Sequence, residues 1–172
     1  GTGNFSFDVI TQREYPDGFV IGKRNRFEEK ILKMEIGNTC GNVMTMLPYL
    51  GVKTFPLAMF DVSPQGYQMK RDMKAYGADV RFVRNTLEGG TTILRCVHKL
   101  DKDGNPTMGH KGSTAGKPWN GPSARPARKY LSSKGGEVES LVESMDFTPD
   151  VFFFDVAQAG HRVLAERLHE KG

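Results

Sequence analysis

Cysteines, long apolar runs and metal-ligand clusters are scarce or missing in this sequence, and each shortage excludes a class of protein. Only Cys40 and Cys96 occur. Two thiols cannot build the disulfide framework of a small secreted scaffold, so a reducing cytoplasm is the default setting. No apolar run approaches the roughly 20 residues that a membrane helix needs. The opening Gly1-Thr2-Gly3-Asn4 has no basic region followed by an apolar one, so no signal peptide is visible. The four His residues and two Cys show no metal-ligand spacing, and there is no G-x-S-x-G nucleophile elbow. Charge of one sign is also modest: the net +4 argues only weakly for an anionic ligand. What is abundant is punctuation. With 20 Gly, 9 Pro and 38% apolar residues in 172 positions, the chain reads as a turn-rich globular protein of one domain, or part of one.

The organising stretch is Gly37-Asn38-Thr39-Cys40-Gly41-Asn42-Val43, running on to Leu50-Gly51. Leu32, Met34 and Ile36 alternate with Lys33 and Glu35 ahead of it, which predicts a strand with one wet face. Val43, Leu47 and Leu50 follow at i, i+4, i+7 and predict a helix. Thr39 is placed to cap its first turn and Gly51 to close its last. A Gly-rich turn feeding a helix gathers unpaired N–H donors, a place that suits an anion or a polyol. A plain strand–helix corner that needs Gly for backbone room explains the same residues.

In chain order, Asn4 to Ile10 reads as a strand end with its turn, and Asp8 among apolar neighbours either caps local backbone or faces a ligand. Tyr15-Pro16-Asp17-Gly18 is a turn. Val52 to Phe60 is a buried-strand run, marred by Pro56. Ser63-Pro64 starts a helix whose core face is Met69, Met73 and Tyr76, and Gly77 stops it. Val80 to Val83 is a short strand. This rhythm predicts βαβ units and a parallel sheet. Thr91 to Leu100 alternates as another strand, with Asp101 to Gly104 as a hairpin turn; with the segment near Lys30 it predicts a small separate sheet. Glu137 to Met145 is helical, Asp150 to Asp155 is an apolar strand covered on both sides and ending in a carboxylate, and His161 to Lys171 is a helix.

Gly104 to Gly136 contains no Asp or Glu but carries Lys111, Lys117, Arg125, Arg128, Lys129 and Lys134. Its Trp119 and Tyr130 are too few aromatics for a base-stacking platform, which argues against a nucleic-acid partner. Gly112 to Lys117 imitates a P-loop but is one residue short, and Pro118 stands where a hydroxyl should hold magnesium. Asp101 to Gly104 imitates a calcium loop with its Gly two positions early.

Taken in order, these residues resemble the amino-terminal half of a ribokinase-like (PfkB family) carbohydrate kinase. Gly3 with Asp8 resembles the family's first-strand motif. Gly37 to Asn42 resembles its Gly-Gly-x-x-x-Asn, with Leu50-Gly51 ending the helix. Gly66, Gly77-Ala78-Asp79 with Phe82-Val83, Thr91-Thr92 with Asp103-Gly104, and Asp150 to Asp155 match later units. The departures are Asn38 for the second Gly, Met44 for a small residue, Pro48 inside the helix, and Asp61 to Gly66 without the family's acidic pair. An interior Pro costs about 3 kcal/mol unless the turn distorts.

The resemblance implies an α/β fold: an incomplete three-layer, Rossmann-like parallel sheet flanked by helices. Residues 1–172 would form the amino-terminal part of one kinase domain, with lid segments near 12–36 and 90–110. It implies ATP- and Mg2+-dependent phosphorylation of a sugar hydroxyl by a longer, cytoplasmic parent enzyme. Asp8, Gly37, Asn38 and Asn42 would bind the sugar. The catalytic base and the main ATP and Mg2+ sites are expected beyond Gly172, leaving this chain alone inactive. A homodimer through the lid is permitted, and no membrane is involved. The alternative reading is a non-catalytic, sugar-binding regulatory protein.

Overall fold

The structure, a computed structural model, describes residues 1–18, 20, 23–24, 26–87, 91–100, 106–109, 136–155 and 159–172. The calcium-loop and P-loop imitations, His110, Trp119, Tyr130 and the basic residues from Lys111 to Lys134 lie outside the described residues.

Strand β1 runs from Ser6 to Glu14 and β2 from Glu28 to Gly37. Asn4 to Ile10 is therefore no strand end with a turn. The chain stays extended until Tyr15, where Gly18 N–H donates to the Tyr15 carbonyl at 3.0 Å and closes the expected turn. β1 pairs antiparallel with β2, with a register shift between Ile10 and Thr11. On its other side it pairs in parallel with β5 (Thr92–Leu100), which pairs antiparallel with β6 (Pro106–Gly109). The order β2-β1-β5-β6 is the predicted small sheet, with β1 added to it.

Helix α1 (Thr39–Met46) follows β2, and a 3-10 turn (Leu47–Leu50) follows α1. Pro48 lies in that tighter turn, so the α-helical hydrogen bonds it could not join are not attempted. Gly51 closes it at φ 77°, a left-handed conformation that suits glycine. The apolar stripe predicted from Val43, Leu47 and Leu50 holds only at its start, where Val43 packs against the core. Cys40 and Met44 face the core, whereas Leu50 is 78% exposed. The distorted last turn breaks the 3.6-residue period on which the prediction rested.

Only Ala58–Phe60 of the Val52 to Phe60 run is a strand, β3, because Pro56 and the turn before it hold the earlier residues irregular. Helix α2 (Pro64–Ala75) begins as its sequence dictates: the Ser63 side chain accepts from the Gly66 N–H at 3.1 Å, and Gly77 sits at φ 96° beyond its end. Met69 and Met73 are wholly buried. Val80–Phe82 is a 3-10 turn rather than a strand, because the Asp79 side chain caps it at the Arg81 N–H; the strand, β4, is Val83–Asn85. β3 and β4 pair in parallel. Thr2 bridges in parallel to both Leu57 and Phe154, which extends this parallel arrangement across the start of the chain. Asp150 to Asp155 forms only that one bridge, and Val151 is 80% exposed, so it is not a strand covered on both sides.

Helices α3 (Gly136–Glu143) and α4 (Ala159–Lys171) complete the described chain. Side chains alternate across β3, and the core follows. Ala58 and Phe60 pack with Cys40 and Met44 of α1 and Met69 and Met73 of α2. Leu57 and Met59 pack with Val138 and Leu141 of α3 and Leu164 and Leu168 of α4. No described helix is long and apolar enough to cross a membrane.

Candidate functional site

Parallel α/β sheets bind ligands beyond the carboxyl ends of their strands. Here that end gathers Gly3 and Asn4 after Thr2, Asp61 after β3, and Asp155 after Phe154. The β2–α1 corner lies against them. Asp155 accepts from the Asn4 N–H at 2.9 Å and from the Cys40 N–H at 3.2 Å, which ties the corner to the strand ends.

Asp8 and Gly37 meet here. A Cβ placed on Gly37 would collide with the Asp8 carboxylate, so the carboxylate lies directly on the glycine backbone. Ser6, two residues before Asp8 and therefore on the same face of β1, donates its hydroxyl to Asp8 Oδ1 at 2.6 Å. Ser6 is fully buried and Asp8 half-buried, so one carboxylate oxygen is held from beneath. Across the strand pair Asp8 stands beside Glu35, which forms an ion pair with Lys33. Its hydrogen bond to Glu35, then the charge of Glu35, raises the Lys33 ammonium above its ordinary value.

Asn38 takes φ 64°, the only non-glycine residue with positive φ among the described residues. With ψ at 167° this is a region that glycine ordinarily fills, so Asn38 holds it under backbone strain. It is the N-cap residue of α1, so Thr39 is the first helical residue and not the cap, and Asn38 makes no side-chain cap bond. Asn42, one turn further, is exposed and donates its backbone N–H to the Asn38 carbonyl at 2.9 Å.

Three of the first-turn donors are engaged within the protein. The Cys40 N–H donates to Asp155, the Gly41 N–H to the Asn4 carbonyl at 3.2 Å, and the Asn42 N–H to Asn38. Beside them the corner carries the Asp8 carboxylate, a bare glycine backbone and the carboxamides of Asn38 and Asn42, groups suited to hydroxyls. Ser6 and Asp155 are the residues that sequence reasoning did not single out as part of this site. The i, i+2 spacing of Ser6 and Asp8 was the available signal for the first. For Asp155 the only signal was its place at the end of an apolar run.

Asp61 holds a second cluster. Its carboxylate accepts from the Ser63 N–H and hydroxyl and from the Thr91 hydroxyl at 2.9 Å, while Asn85 Nδ2 donates to its carbonyl at 2.8 Å. Partial burial alone would raise this carboxyl, but the bonds from Ser63 and Thr91 outweigh it and hold it below its ordinary value. Gly66 packs so closely on Asp61 that a Cβ there would collide with the Asp61 carbonyl. This cluster fixes the start of β5 to the first turn of α2.

A cleft of about 700 Å³, lined by Met44, Val52, Phe55, Phe147 and Phe152 among others, opens at the amino ends of the parallel segments. None of Asp8, Gly37, Asn38 and Asn42 lines it. Among the described residues, no group of three His, Cys, Asp or Glu is arranged to hold a metal ion.

No protein-family model matches the chain, and no curated protein does. Solved structures do. A protein named Sa239 matches with TM-score 0.51 at 14% identity, over 83% of this chain and 41% of its own. That likeness is one of fold. An uncharacterized sugar kinase from Pyrococcus horikoshii matches with TM-score 0.47 at 13% identity, over 98% of this chain and 57% of its own. A ribokinase from Cryptococcus neoformans, solved with ADP, matches with TM-score 0.38 at 13% identity, over 62% of this chain and 32% of its own. The chain thus spans well under two thirds of the length of each of these proteins.

Proposed function

We propose that residues 1–172 are the sugar-binding and lid part of an ATP-dependent kinase that phosphorylates a sugar or sugar-like hydroxyl. The observation that carries this reading is the Asp8 carboxylate lying on the Gly37 backbone, at the carboxyl end of the parallel segments. That juxtaposition joins two motifs which the sequence resemblance had matched separately. The complete domain would be a three-layer α/β/α sandwich; the two cores on opposite sides of β3 support this.

Asp8 accepts hydrogen bonds from one or two sugar hydroxyls, with the Ser6 hydroxyl fixing its orientation. Gly37 lets the sugar ring approach the backbone without a side chain intervening. Asn38 and Asn42 each offer a carboxamide, which donates to one hydroxyl and accepts from a neighbour. The sheet β2-β1-β5-β6 acts as a lid that excludes water from the site, which in phosphoryl transfer protects ATP from hydrolysis. In this reading the chain supplies the sugar side of the reaction, and the rest of the parent domain supplies the ATP and Mg2+ sites. The exposed Ile31, Leu32 and Met34 of β2 would support a second copy docking on the lid, which sedimentation of the purified chain tests.

The direct test is a titration of the 15N-labelled chain with neutral monosaccharides, followed at the Gly37 to Asn42 amides. Saturable shifts at these amides are expected, and Asn42→Ala should weaken binding roughly tenfold, the effect of losing a paired hydrogen bond. Unmoved amides with every sugar would overturn the reading. Sugar binding without ATP turnover in a longer parent protein would favour a regulatory sugar binder instead.

A further inference from the structure

We infer that Asp61 is a positioning residue for the cradle: by fixing Thr91 it sets the backbone row on which Asp8 is held; the inference rests on the sugar-binding reading above. Asp61 follows β3, and its Oδ1 accepts from the Ser63 N–H at 3.1 Å, from the Ser63 hydroxyl and from the Thr91 hydroxyl at 2.9 Å. Hydrogen bonds to an ionised acceptor are the stronger kind, so this oxygen is a firm anchor. The backbone beneath it is fixed as well. Asn85 Nδ2 donates to the Asp61 carbonyl at 2.8 Å, and the Thr86 N–H donates to the Phe60 carbonyl at 2.9 Å. A Cβ on Gly66 would collide with Asp61 and crowd the Thr91 hydroxyl, so both are packed onto the first turn of α2. Thr91 is buried there.

Thr91 immediately precedes β5. In the sheet its neighbour Thr92 stands opposite Ser6, and Ser6 stands opposite Gly37 on the other side of β1. This row of three residues crosses three strands, and two of its members hold Asp8. Ser6 donates to Asp8 Oδ1 at 2.6 Å, and the Gly37 backbone lies against the same carboxylate. Paired strands keep a spacing of about 4.8 Å, so a shift of Thr92 carries Ser6 and Gly37 with it. Ser6 is wholly buried, which leaves its hydroxyl no room to turn and compensate. The Asp61–Thr91 bond joins side chains only, so it can be removed without cutting a rung of the sheet. Contiguous packed and hydrogen-bonded groups of this kind carry coupling between sites, and a mutant cycle measures it.

The test uses the intact, 15N-labelled 172-residue chain with Thr91→Val, which removes the donor and keeps the shape, and Thr91→Ser, which restores the donor. Without ligand, Thr91→Val should move the amide signals of Ser6, Asp8 and Gly37, and Thr91→Ser should return them towards wild type. With D-glucose and D-fructose as probes, Thr91→Val should weaken binding about 2- to 30-fold, the range for coupled residues outside a site. Thr91→Ser should bind as wild type does. In a Ser6→Ala background Thr91→Val should cost less, because its effect runs through Ser6. Signals that move no further than Thr92, with wild-type affinity in Thr91→Val, overturn the inference and leave the sugar site standing. Equal losses with and without the Ser6 hydroxyl overturn it too. If neither sugar moves the Gly37 to Asn42 amides of the wild type, the sugar reading falls and takes the binding role of Asp61 with it. Should Thr91→Val fail to fold, Asp61→Asn, which weakens the acceptor of the same bond, is read in the same way.

Discussion

At the scale of single residues, glycine does two different jobs in this chain. Gly18 and Gly51 have positive φ and open space around them, so their need is conformational. Gly37 has no such backbone requirement; it is a glycine because Asp8 occupies the room a Cβ would take. Gly37→Ala should therefore push the Asp8 carboxylate aside. A loss of about 1–3 kcal/mol, typical of forced overpacking, is expected in urea unfolding, together with loss of sugar-induced shifts at Asn42. An unchanged urea midpoint with intact binding would show that Asp8 moves without cost. Cys40 makes a second residue-scale prediction. Burial pushes its thiol up to about 12, so almost no thiolate exists at neutral pH. Iodoacetamide at pH 8 should leave Cys40 unmodified in the folded chain and alkylate it fully in denaturant, as read from peptide masses. Asp8, Gly37, Asn38 and Asn42 were singled out by their resemblance to family motifs, and the fold brings Asp8 onto Gly37. The sequence did not make Asp155 legible as part of the site, because a carboxylate at the end of an apolar run reads as a simple strand terminus. Its partners, Asn4 and Cys40, are more than a hundred positions away in the chain.

At the scale of elements, caps and breakers were the most legible features. Ser63-Pro64 and Gly77 bound α2 in the sequence and in the fold. Apolar stripes were less reliable: that of α2 is right, while that of α1 fails beyond Val43 because Pro48 converts its end to a 3-10 turn. Strand extents were misread for local reasons: Pro56 shortens β3, and the Asp79 cap delays β4. Ser63→Ala should cost about 1 kcal/mol from lost capping, and more if Asp61 then loses its hydroxyl donor. Asp61 also makes stability pH-dependent. Its folded pKa lies below its ordinary value, so its contribution is complete above the unfolded carboxyl range of about 3.9 and is lost as pH falls through the folded pKa. Thr91→Val removes one of the donors responsible. The variant should be less stable at neutral pH and lose less on acidification. Urea midpoints measured from neutral pH down to the carboxyl range test this, and parallel curves for wild type and variant would contradict it.

At the scale of the whole molecule, β3 links two cores. Ala58 and Phe60 belong to the one beneath α1 and α2, and Leu57 and Met59 to the one beneath α3 and α4. The alternation along one strand means that neither core can loosen without disturbing the backbone the other rests on. The cradle proposed for sugar depends on both: Gly37 and Asn42 are carried by elements of the first, and Asp155 lies between Phe154 and α4, whose inner face packs in the second. Met69→Ala and Leu164→Ala delete fully buried side chains, one from each core, and each should cost about 2–5 kcal/mol. If the cores are one cooperative unit, Leu164→Ala should raise hydrogen exchange at the amides of α2 as well as α4, and Met69→Ala should raise exchange in α4. It should also weaken protection of the Cys40 amide, which Asp155 holds from the far side of the strand. Exchange confined to the helices of the mutated core would mean instead that the two layers open independently, and that the cradle can lose its Asp155 support while Asp8 and Gly37 stay in place.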